Sequence, residues 1–263
     1  MTAFKIGVMS ECFGLGLEGG IKRAAQIGAQ GVQLYALTDA FNCHLPQSRK
    51  SELKSFIKNE GLVISALCSE MGGFAGNTTE NQRKVEETRR IMDFAAEMDT
   101  RIVTAHIGVV PENHGDPIWI ELQNMLGLLG EYGQKNGVTF AVETGPEPAV
   151  VLKGLLDTIA GVGVNLDPAN LVMVAGDDPV QATYTLARYI VHTHAKDGIK
   201  LHPAGGEPGY QEMALGEGAV DFTNWLRALR EIGYNGFLTI EREVGQDPAA
   251  DIVKAIRFLR ELL

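Results

Sequence analysis

The chain has 263 residues, 45% of them hydrophobic, which is enough to bury a large core in one α/β barrel or two smaller domains. Its formal net charge of -10 and pI near 5.1 would repel a phosphate backbone, which argues against a nucleic-acid partner and for a small neutral substrate. No apolar run reaches membrane-spanning length, the start MTAFKIGVMS lacks the features of a secretory signal, and Cys12, Cys43 and Cys68 form no CxxC pair, so a cytoplasmic chain with reduced thiols and no membrane partner is expected.

Taken in chain order, short apolar or β-branched runs recur as FKIGVMS, GVQLYA, LVISALC, RIVTAHIG, VTFAVETG, VGVNLDP, YIVHTHA and GFLTIERE, each followed by a helical pattern. Gly31, Gly61, Gly137 and Gly236 precede strands, where a helix ends and the chain turns back. After the third run, Thr79 and Gln82 stand at capping-box spacing, and Val85, Met92 and Ala95 share one face of a surface helix. Asp178-Pro179 and Asp247-Pro248 each place a capping residue before a proline suited to a first helical turn. The last helix continues with Ile252, Ile256 and Leu259 on one face. The longest stretch without a pattern, 199–218, holds Pro203, Gly205, Gly206, Pro208 and Gly209 and reads as a loop able to close over a substrate.

Strands buried on both faces and alternating with helices form a parallel sheet, and eight such units in this length predict a single (β/α)8 TIM barrel over residues 1–263. No GxGxxG follows the first strand, which counts against a dinucleotide fold. In such barrels the chemistry sits at the C-terminal strand ends. There the fifth to eighth runs end in Glu143, Asp167, His194 and Glu241, four consecutive potential metal ligands. Any one of them alone reads equally as a helix cap or a solvated charge; ligands ending four successive strands read as a metal site.

The pieces VETGPE, NLDPANL, HTHAKDG, ALGEGAVDF and TIERE, in this order, resemble the xylose isomerase-like TIM barrel superfamily, the sugar phosphate isomerases/epimerases, over essentially the whole chain. The resemblance implies that Glu143, Asp167, His194 and Glu241 bind one divalent cation and that Glu143 and Glu241 are also the catalytic acid and base. Three carboxylates and one imidazole suit Mn²⁺ first, with Mg²⁺, Co²⁺ or Zn²⁺ as alternatives. The cation would stabilise the enediolate formed when a proton leaves the carbon beside a sugar carbonyl, while the two glutamates move the proton.

Lys196 and Asp197, in the HxKD pattern, reach substrate hydroxyls or else pair with neighbours, and His106 and Glu70 are further candidates for substrate contact. His192 reads as a hydrogen-bonded core histidine, and Arg242 as a salt-bridge partner for a neighbouring helix. Asn170 stands where relatives carry a histidine, yet it retains the ability to hydrogen-bond a sugar hydroxyl. Tyr210, Gln211 and Glu212 replace the Asp-x-His of the endonuclease IV-like proteins, so the three-zinc cluster of a DNA phosphodiesterase is not expected. The expected activity is isomerisation or epimerisation of a ketose or keto-sugar. A lyase of the same fold, inosose dehydratase-like or a 3-keto-sugar eliminase, is the nearest alternative, and a homo-oligomer is compatible with the family.

Overall fold

The computed structural model describes residues 4–74, 77–201 and 209–263. Eight parallel strands close into a barrel: β1 (Lys5–Met9), β2 (Gly31–Tyr35), β3 (Val63–Cys68), β4 (Ile102–Ala105), β5 (Thr139–Glu143), β6 (Val162–Leu166), β7 (Ile190–Ala195) and β8 (Phe237–Ile240). They follow one another around the ring, and β8 pairs back onto β1 through Gly7 opposite Thr239 and Val8 opposite Ile240. These are the eight runs picked out in the sequence.

A helix follows each strand: α1 (Gly16–Gln26), α2 (Gln47–Asn59), α3 (Thr78–Glu97), α4 (Pro117–Asn136), α5 (Ala149–Leu156), α6 (Pro179–Thr185), α7 (Phe222–Glu231) and α8 (Pro248–Leu262). Strand residues alternate between two dry environments. On β6, Val164 and Leu166 are fully buried between sheet and helices, while Asn165 on the other face reaches the polar groups inside the ring. Asp178 and Asp247 accept the N–H of Val180 and Ala250 ahead of Pro179 and Pro248, as their spacing predicts. Val85, Met92 and Ala95 on α3, and Ile252, Ile256 and Leu259 on α8, are buried.

Three expectations are corrected. Helix α3 begins before Thr79, because the Asn77 side chain already accepts the Glu80 N–H and Thr79 lies inside the first turn. Gly61 and Gly137 do sit in the left-handed region, at φ 77° and 68°, but Gly31 and Gly236 do not. They are glycine for want of room: a methyl on Gly31 would lie 2.6 Å from the Phe237 ring, and one on Gly236 2.5 Å from the Tyr234 hydroxyl. The stretch 199–218 is no plain loop, because Asp197–Leu201 and Gly209–Met213 pair as an antiparallel hairpin standing on the end of β7. Pro203, Gly205, Gly206 and Pro208 lie outside the described residues.

Candidate metal centre

The ends of β5 to β8 bring Glu143, Asp167, His194 and Glu241 together. One ligating atom from each lies within 4.8 Å of all the others, and all four side chains are buried. His194 is central. Its Nδ1 lies 3.2 Å from Glu143 Oε1, 3.1 Å from Glu241 Oε2 and 3.6 Å from Asp167 Oδ2.

Asp167, Glu143 and His194 are each held from behind. Asp167 Oδ1 caps the single helical turn Pro168–Asn170 by accepting the Ala169 and Asn170 N–H groups, which turns Oδ2 into the cluster as a buried oxygen without a hydrogen-bond partner. Thr144 Oγ1 accepts the Asp167 N–H at 2.8 Å, tying the ends of β5 and β6 together. Asn165 donates to Glu143 Oε2 at 3.1 Å. Gln33, fully buried on β2, takes the Nε2 side of His194 at 3.0 Å through Oε1 and donates to Thr104 Oγ1 at 2.9 Å. Gln33 and Asn165 each follow a register shift in the strand pairing, after Val32 and after Val164, and such irregularities re-aim side chains next to sites.

The electrostatics follow from burying like charges together. Burial opposes the His194 imidazolium, but Glu143 and Glu241 outweigh it and hold the ring well above its usual range. Burial likewise works against ionised Glu241, and the charges of His194 and Lys196 overcome it, keeping the carboxyl well below its usual range. His106 is raised to about 9, chiefly by the charge of Glu143, against burial and with help from Glu70. His192 is the opposite case, since burial and then His194 push it well below the usual value. Its neutral ring donates from Nδ1 to Asn165 Oδ1 at 2.8 Å and accepts from Thr239 Oγ1 at 3.0 Å, as a core histidine should.

Above the cluster opens a cleft of about 610 Å³. Glu70, His106, Asn170 and Lys196 line it, as their strand-end positions lead one to expect. His106 Nδ1 lies 3.1 Å from Glu70 and Nε2 3.7 Å from Glu143, while Asn170 donates to Glu143 Oε1 at 3.3 Å. Lys196 Nζ meets Glu241 at 3.1 Å and Glu243 at 2.8 Å. Asp197 is a correction. Its carboxylate turns away from the cleft and accepts the backbone N–H groups of Gly198, Gly216, Gly218 and Val220 at 2.8–3.1 Å, so it organises the loop after β7 and has no oxygen to offer a substrate. Arg242 pairs with Asp251 on α8 and with Glu212 on the hairpin, each at 3.0 Å.

Sequence reading missed Gln33, Thr144, Glu212 and Glu243. For Gln33 the signal was a lone amide in the middle of GVQLYA; for Glu243 there was none, because it sits beside Glu241 and Arg242, and for Glu212 there was none, because it lies in a stretch without a strand or helix pattern. Cys43, His44 and Glu87 form a second grouping on the outer surface, where Glu87 is already paired with Arg90 at 2.8 Å. These two are the groupings among the described residues that could hold an ion, and neither supplies the extra histidines of a three-metal cluster. No helix among the described residues is long and apolar enough to cross a membrane.

Residues 21–262 match the xylose isomerase-like TIM barrel family. The chain belongs to that family. A xylose isomerase domain protein from Planctomyces limnophilus has the same barrel with a TM-score of 0.84 and 27% identity, covering 99% of this chain and 96% of that one. An uncharacterised protein of Methanocaldococcus jannaschii is 26% identical over 77% of this chain and 70% of its own length. An L-ribulose-5-phosphate 3-epimerase from Shigella flexneri matches at 35% identity, over only 24% of this chain and 23% of the epimerase. The xylose isomerase-like barrel thus supplies the frame on which this chain places its buried acidic cluster.

Proposed function

We propose that the protein is a divalent-metal-dependent isomerase or epimerase of a small carbohydrate, with Glu143 and Glu241 as its acid and base. The observation that carries this reading is the convergence of three buried carboxylates and one imidazole, with Asp167 Oδ2 buried and without a hydrogen-bond partner inside the cluster. Leaving three carboxylates facing one another out of water is costly, and a cation is the natural partner for such a set. Hard oxygens with one nitrogen fit Mn²⁺ first, and Mg²⁺, Co²⁺ and Zn²⁺ share the preference in part. The ion, when bound, would supply positive charge to two adjacent substrate oxygens as negative charge develops on them.

The chain's own residues do the rest. Glu143 and Glu241 approach from strands three steps apart around the ring, so a planar intermediate lying over His194 would meet one carboxylate on each side. One removes the proton from the carbon beside the carbonyl and the other returns a proton, either to the opposite face or to the neighbouring carbon. Lys196 keeps Glu241 ionised and ready to accept. His106 and Asn170 sit beside Glu143, where their polar hydrogens can hold substrate hydroxyls, and Glu70 orients the His106 ring.

The test is proton NMR in D₂O with the metal-loaded protein and a panel of ketoses and keto-glycosides. Wash-in of deuterium beside the carbonyl, lost on chelation, is the expected result. Product structure then separates isomerase, epimerase and lyase. Full exchange in the Glu143→Gln or Glu241→Gln variant would remove that residue from the acid/base pair.

A further inference from the structure

We infer that the substrate is an uncharged polyhydroxy ketone and not a sugar phosphate; the inference rests on the enediolate reading above and narrows its substrate. Holding a phosphate takes free Lys or Arg donors, or unsatisfied backbone N–H groups at a helix start or in a nest of successive amides. Among the described residues that line the cleft and start the helices after β5 to β8, both kinds of donor are already committed to carboxylates of the chain.

The side chains come first. The cationic groups among the described lining residues are Lys196 and His106. Lys196 faces Glu241, Glu243 and Glu212 at 3.1, 2.8 and 3.6 Å, and His106 stands between Glu70 and Glu143. Arg242, just behind the wall, is taken up by Glu212 and Asp251. Beyond the metal cluster the lining therefore adds Glu70, Glu212 and Glu243 against two cations that are each paired. A phosphate entering here would have to break those pairs and then face the carboxylates released.

The backbone donors after β5 to β8, around the metal cluster, are filled in the same way. In barrels of this class the loops after the seventh and eighth strands commonly build a phosphate site. Here the loop after β7 does form an amide nest, from Gly198, Gly216, Gly218 and Val220, but Asp197 fills it. A methyl on Gly218 would run into that same carboxylate, so the nest is closed around its own anion. The starts of α6, α7 and α8 are capped by Asp178, Asp221 and Asp247, and the first N–H of α5 is held by Asp177. What the cleft does offer is carboxylate acceptors for hydroxyl donors, above all the half-exposed Glu243, and an apolar wall of Met9, Met173 and Val244 for the carbon face of a sugar.

Matched pairs test this: D-fructose against D-fructose 6-phosphate and D-ribulose against D-ribulose 5-phosphate, each followed by deuterium exchange with the manganese-loaded protein. The expected result is exchange about tenfold or more faster for the free ketose of at least one pair than for its phosphate. Faster exchange of the phosphorylated member would overturn the inference while leaving the enediolate reading intact. Exchange with neither member of any pair, nor with any other free ketose or keto-glycoside, would overturn the enediolate reading and the inference with it.

Discussion

Replacing Gln33 with leucine would remove the acceptor facing His194 Nε2 while keeping a side chain of similar length. Partners behind a metal-bound histidine typically matter about 10–100-fold in affinity. Weakening of that size is expected in competition with a fluorescent chelator, with partial recovery in Gln33→Glu, which retains an acceptor; unchanged affinity would make Gln33 mere packing. Glu143→Gln and Glu241→Gln should each cost roughly 10²–10⁴-fold in deuterium exchange with the circular dichroism spectrum preserved. Metal content measured on the same samples separates a lost ligand from a lost acid or base. At this scale legibility followed strand geometry. Glu143, Asp167, His194 and Glu241 stand out because each ends an apolar run, whereas Gln33 lies within one, and its aim depends on a register shift after Val32 that has no counterpart in residue type.

Two elements at the barrel mouth carry their own predictions. Asp197→Asn replaces an oxygen that accepts two N–H groups by an amide that cannot accept any, so two amides of the β7–α7 loop lose their partner. A loss of about 2–4 kcal/mol is expected in urea unfolding, with faster hydrogen exchange in the hairpin. In the loop between β5 and α5, burial raises Glu147 from 4.5 to about 7, and its Oε2 lacks a hydrogen-bond partner. The unfolded chain releases this proton from about pH 4.5, whereas the folded chain retains it until about pH 7. The group therefore costs nothing below that window, and stability falls as pH rises through it. The full cost, on the order of 3 kcal/mol at most, is present above pH 7. Glu147→Gln should accordingly be more stable than the parent at pH 8 and no more stable at pH 4.5; equal stability at both would show that the carboxyl is solvated. The hairpin escapes sequence reading because the glycines and prolines in the sequence between Leu201 and Tyr210 carry no strand pattern, while Asp197, inside the HxKD pattern, reads equally as a substrate ligand or as a partner of its neighbours, and its four amide partners decide for the second.

For the molecule as a whole, an ion that binds only the folded barrel must stabilise it. At a hundredfold excess over Kd the linkage is about 2.7 kcal/mol, or roughly 5–10 °C in Tm for a chain of this size. Chelation should lower Tm by that amount and added Mn²⁺ should restore it; no shift would leave the cluster without an ion to bind. The barrel itself was legible because apolar strands and amphipathic helices alternate without a break, a pattern set by burial on both faces of the sheet and independent of any single residue. Substrate identity is not carried by that pattern, since it lies in the charge balance of the mouth, which is assembled from separate loops. The most direct measurement is anomalous diffraction from a crystal of the protein soaked in Mn²⁺. One peak enclosed by Glu143, Asp167, His194 and Glu241 is the predicted result. No peak there, or a peak only beside Cys43, His44 and Glu87, would contradict the account.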